Sequence, residues 1–157
     1  MVHTWTISKT ELARRTRQVV DRARRGEAII VESYGEEQVA VIDAIDYRIL
    51  SAVVSYQARS PHPPPASPPD VEPAGLSKAG VEQAVREAQS PQVRWDVVMA
   101  AYLDWDISLG RAATLLDLSS YELDERFRRL DIPRRIGPAT EREAQLEIDT
   151  ALELLFP

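Results

Sequence analysis

Residues 4–42 read TWTISKTELARRTRQVVDRARRGEAIIVESYGEEQVAVI, and the punctuation of this stretch decides the fold. Thr4 to Ile7 is a short β-prone run. Ser8 precedes Glu11 by three residues, the spacing of a capping box that opens a helix. Leu12, Thr16, Val19, Val20 and Ala23 then fall at i, i+4, i+7, i+8 and i+11, which predicts one helix with a single buried stripe. Gly26 ends it, because glycine reaches left-handed geometry without a steric penalty. Ala28–Val31 and Val39–Ile42 flank a turn at Tyr34-Gly35-Glu36-Glu37 and predict a hairpin. Asp43 caps a further helix to about Arg59, whose expected apolar face is Ile45, Ile49, Leu50, Val53 and Val54.

Working outward, residues 60–75 hold seven of the eleven prolines and cannot sustain a backbone hydrogen-bond ladder. They predict an extended spacer between a first domain, 1–59, and a second, 76–157. Some sixty residues make a marginal core. Two copies sharing the hairpin sheet and the last helix would enlarge it, so a homodimer or higher homo-oligomer is expected. The fold class is α+β: a strand-helix-hairpin-helix domain, a proline-rich linker and an all-α domain.

The net charge of −6 is unevenly spread. Lys9 to Arg25 carries seven basic groups against Glu11 and Asp21, while residues 60–157 carry 10 basic and 17 acidic side chains. A basic cluster in an acidic chain favours a polyanion on one face. The chain has no cysteine, and His3 and His62 fall in an N-terminal tail and the proline spacer, so neither a disulfide framework nor a zinc site is expected. No phosphate-cradling glycine loop or nucleophile elbow occurs. No enzyme activity, catalytic residue, metal or cofactor is expected. Without a basic-then-apolar leader or a membrane-length apolar run, a cytoplasmic protein with no membrane partner is expected.

Thr6-Ile7-Ser8, Glu11-Leu12, Val19 to Ala23, Gly26-Glu27, Ile29 to Val31, Tyr34-Gly35, Val39 to Val41 and Asp46-Tyr47 together resemble the Phd/YefM antitoxins over about residues 4–50. The resemblance implies a dimeric DNA-binding domain of a type II toxin–antitoxin system. Such a protein represses its own operon at operator DNA and neutralises a toxin through a C-terminal extension. The residues agree with DNA binding, since arginine forks suit phosphates and base edges alike. Lys9, Arg14, Arg15 and Arg17 are the candidate DNA contacts, and Arg24 and Arg25 are assigned to the helix C-terminal dipole. Glu32, Glu36 and Glu37 near the hairpin tip would instead repel phosphates.

In the second domain, helices are expected over Leu76–Gln89, with Ser77 as cap, and over Val93–Leu103, burying Val97, Val98, Ala101 and Tyr102. Ile107 to Leu130 has the physics of a helix-turn-helix. Ala112 and Ala113 allow close crossing, Asp117 tolerates left-handed geometry and Ser119 caps the second helix. The stretch is similar to Fis-type helix-turn-helices. Over about 97–135 it more closely resembles small helical antitoxins paired with PIN-domain ribonucleases, which implies a toxin of that type as partner. Ser120, Tyr121, Arg126, Arg128 and Arg129 are candidates for a second DNA contact or a protein contact. Thr140 and Glu143 form another capping box ahead of an amphipathic pattern in which Ile148, Leu152 and Leu155 are candidate toxin contacts. Two further readings compete: a stand-alone transcriptional regulator, and an interaction adaptor without DNA binding.

Overall fold

β-branched and aromatic side chains favour the extended chain at Thr4–Ser8, which forms strand β1. The computed structural model describes residues 3–60 and 78–134. Apart from Ser60, the reading of residues 60–75 as an extended spacer lies outside the described residues, as do the Ser77 cap and the candidates Ile148, Leu152 and Leu155.

The Ser8/Glu11 capping box is present: the Glu11 amide donates to Ser8 Oγ at 3.2 Å, and the Ser8 amide donates to Glu11 Oε2 at 3.1 Å. It opens α1, Lys9–Arg14, but the expected single helix is broken. Arg15, at φ −120° and ψ 24°, leaves helical geometry, and α2 resumes over Thr16–Arg24. At the break the Thr16 hydroxyl donates to the Leu12 carbonyl at 2.8 Å, the local competition by which a threonine side chain bends a helix. The reorientation buries Val19 and Ala23 and leaves Thr16 and Val20 exposed, so only part of the predicted stripe faces inward.

Gly26, at φ +92°, ends α2 as expected. The chain then enters β2, Ala28–Ser33, which pairs parallel with β1 from Thr4↔Ala28 to Ser8↔Glu32. Tyr34 and Gly35, both at positive φ, turn it into β3, Glu36–Val41, antiparallel to β2. Two residues with φ above zero are what a tight hairpin whose twist matches its strands requires. The strand order is β1-β2-β3, with β3 exposed along nearly its whole length. Ile7, Val19, Ala23, Ile29 and Val31 form the core beneath the sheet, with Trp5, Leu12 and Val41 packed against it.

Asp43 caps α3, Ala44–Arg59, accepting from the Ile45 amide at 2.9 Å. The inward face of α3 differs from the expected one. Ile49, Ala52 and Tyr56 are buried, whereas Leu50 and Val54 are exposed. The helix packs on α5, Pro91–Leu103, and its buried face joins a second core with α4, Lys78–Glu87, α6, Leu109–Leu115, and α7, Ser120–Arg129. Thus α3, expected to be shared between two copies, is covered on its inner face by the helical half of its own chain. In α5, Val98, Ala101 and Tyr102 are buried and Val97 partly so, as expected, and Trp95, Met99 and Leu103 join them. The protein is mixed α+β, with three strands and seven helices among the described residues.

Candidate nucleic-acid interface

At the break at Arg15 stands a strongly basic surface. Where α1 meets α2, Arg14, Arg15, Arg17, Gln18, Asp21, Arg22 and Arg25 line an open groove of about 560 Å³. Five guanidinium groups against one carboxylate leave a surplus of four positive charges. Those charges stand together because Val19 and Ala23 are drawn into the core, turning the remaining positions of α2 to solvent.

The arginines are not equally available. Arg22 is held from both sides, by Glu27 at 3.2 Å and by the Trp5 ring, whose centroid lies 4.3 Å from its guanidinium carbon. Arg15 reaches Glu11 at 3.9 Å, a solvent-exposed pair of small energetic weight. The Ser8 amide, which donates to Glu11, also holds the Glu11 carboxyl below its ordinary pKa. Arg14, Arg17 and Arg25 form no ion pair among the described residues and are exposed. Their donors are free to meet an anion.

Of the four candidate DNA-binding residues, the structure brings Arg14, Arg15 and Arg17 into one groove, while Lys9, exposed in the first turn of α1, lies outside its lining. Arg25, which the sequence pattern assigns to the helix dipole, lines the groove; Arg24 does not. The signal that could have found it is the spacing of Arg14, Gln18 and Arg25 at i, i+4 and i+11. The hairpin tip presents exposed Glu36 and Glu37.

The stretch read as a helix-turn-helix forms α6 and α7, two consecutive helices joined by a turn. Asp117 takes left-handed geometry at φ 59°, and the Ser119 hydroxyl accepts from the Glu122 amide at 3.1 Å. Two of its candidate contacts are engaged elsewhere. Arg126, only 11% exposed, donates to Asp43 and Asp46 at 2.7 Å each and to Glu122 at 3.1 Å. Arg129 makes a two-pronged contact with Asp46, at 2.6 and 2.8 Å, and lies directly against Gly26. These arginines join α7 to the start of α3 and the end of α2 instead of facing a partner. Arg128 is exposed but paired with Glu125 at 2.8 Å; Ser120 and Tyr121 are exposed. Among the described residues no group of histidine and carboxylate side chains is placed to hold a metal, and no helix is long and apolar enough to cross a membrane. Compared with known protein families, with curated proteins and with solved structures, the chain matches none.

Proposed function

We propose that the chain is a DNA-binding antitoxin of Phd/YefM type, a homodimer or higher homo-oligomer that represses its own operon and neutralises a toxin through its C-terminal region. The observation that carries the DNA half is the groove at the α1–α2 junction, lined by five arginines, three of them (Arg14, Arg17 and Arg25) without an ion pair among the described residues, in a protein of net charge −6. Clustered arginines gain most from neutralising adjacent phosphates and releasing their counterions. The oligomer is supported by an unpartnered apolar stripe on the outer face of α3, where Tyr47, Leu50 and Val54 are exposed at i, i+3 and i+7, and by exposed Val39 on β3. The toxin half rests on the resemblance of about 97–135 to antitoxins of PIN-type ribonucleases and on the amphipathic pattern of residues 140–156.

The test is binding of the full chain to duplex DNA from upstream of its own gene across a salt series. Affinity should fall steeply with salt, and Arg14→Ala with Arg17→Ala should flatten the slope by about one unit for each phosphate that is no longer neutralised. Flat, negligible binding at low salt refutes the repressor reading. Absence of a small nuclease that co-purifies from the adjacent gene refutes the toxin half. The adaptor reading is favoured by one observation, the exposed glutamates at the hairpin tip, and gains if duplex binding fails.

A further inference from the structure

The groove is not uniformly cationic. Gln18, Asp21 and Arg25 lie at i, i+3 and i+7 from α2 into its C-cap, so they share one face, and Arg14 closes the groove from α1. The Asp21 side chain is exposed and forms no hydrogen bond or ion pair among the described residues, although five arginines line the same groove. It caps no helix and bridges no element. In a surface serving phosphate attraction alone, a carboxylate is a liability, because it repels the backbone that the arginines attract.

A carboxylate has a use where base edges are read. It accepts a hydrogen bond from the N4 amine of cytosine, as an arginine fork donates to O6 and N7 of guanine and a glutamine amide pairs with adenine. The groove supplies all three side-chain types. Among the described residues no aromatic side chain lines it, so these residues offer no platform on which the unstacked bases of a single strand could sit. An exposed helix bearing forks and short polar acceptors fits the major groove of a duplex.

We infer that α2 reads duplex DNA in the major groove and that Asp21 is a specificity-determining residue, selecting a C·G pair through the cytosine N4 amine. This inference rests on the DNA-binding reading above. Its test uses the full chain and a pool of randomised duplexes, from which the bound sequences are recovered. The enriched site should contain a C·G pair whose replacement by T·A weakens binding about tenfold, within the range one good base-edge contact contributes. With Asp21→Asn that discrimination should vanish, while unselected duplex is bound more tightly because a negative charge has left the groove. Asp21 is exposed, so the variant should keep the native circular dichroism spectrum, and Arg14→Ala should weaken all sequences alike. If Asp21→Asn tightens selected and unselected duplexes by one factor and recovers the same site, the inference is overturned and DNA binding stands. If neither protein binds duplex at low salt, the DNA-binding reading falls, and the inference with it.

Discussion

Replacing Asp46 by asparagine probes the joint between α7 and the start of α3. The substitution keeps the shape of the side chain and removes its charge. In the native protein both Asp46 oxygens are used: Oδ1 accepts from Arg126 and Arg129, and Oδ2 from Arg129. Asparagine keeps one acceptor oxygen and, with that oxygen in the Oδ1 place, turns an amide donor toward the Arg129 guanidinium. Arg126 keeps Asp43 and Glu122, but Arg129 loses the only ion pair it makes among the described residues. Breaking a buried pair by removing one partner costs about 3–5 kcal/mol, because the other charge is left without compensation. The Asp46 side chain is 6% exposed and that of Arg129 21%, so some water reaches the orphaned cation and the lower end applies, about 3 kcal/mol. For a chain of this length that loss lowers Tm by roughly 6–12 °C.

The assay is urea unfolding followed by far-ultraviolet circular dichroism, with a double-mutant cycle that adds Arg129→Met. The coupling between the two positions should be about 2 kcal/mol, and Arg129→Met should recover part of the loss in the Asp46→Asn background. A loss below about 0.5 kcal/mol, or a coupling near zero, would refute the reasoning, since the cluster would then be solvated and would join nothing.

Gly26→Ala should destabilise by about 2 kcal/mol in the same unfolding assay, because a Cβ at φ +92° is strained and would collide with the Arg129 guanidinium. Ser119→Ala should cost about 1 kcal/mol, the worth of the cap it gives α7, read as a lower urea midpoint at unchanged slope. Asp106 supplies a pH signature. Burial, and secondarily the neighbouring Asp104 carboxylate, push its pKa up from 3.8 to about 6. The native state therefore holds a proton that the unfolded chain releases, and the stabilisation present below the unfolded value is lost as pH rises through about 6. Asp106→Asn should remove that decline and, after allowance for solvent screening, be more stable than the native chain by about 1 kcal/mol at slightly alkaline pH. Equal pH profiles for the two proteins would count against it.

Much of the local architecture was legible in the amino-acid sequence. The Ser8–Glu11 box, the Asp43 and Ser119 caps, the helix stop at Gly26 and the left-handed Asp117 all form where their residues foretell them, while the hairpin turn tightens to Tyr34-Gly35 and the expected turn residues Glu36 and Glu37 pair within β3. Each is settled within a few residues, by which backbone groups a short side chain can reach or which φ a residue tolerates.

What failed is what depends on distant partners. Periodicity marks the apolar positions of α3 but cannot say which of two overlapping stripes finds a neighbour. The α5 surface buries Ile49, Ala52 and Tyr56, and leaves Leu50 and Val54 outside. At the break at Arg15 a Thr16 hydroxyl bonds to the Leu12 carbonyl, although the sequence pattern there is continuous. In the sequence Arg126 and Arg129 are candidates for a second DNA contact or a protein contact. Asp43 and Asp46, some eighty residues earlier in the chain, claim both once the core has brought α3 and α7 together. The sequence by itself determined the caps and the helix stop at Gly26, and that basic charge concentrates before Gly26, but neither the break at Arg15 nor the start of β3 at Glu36. Tertiary structure alone decided which arginines remain exposed, because a charge is free or spent according to the carboxylates that folding places beside it.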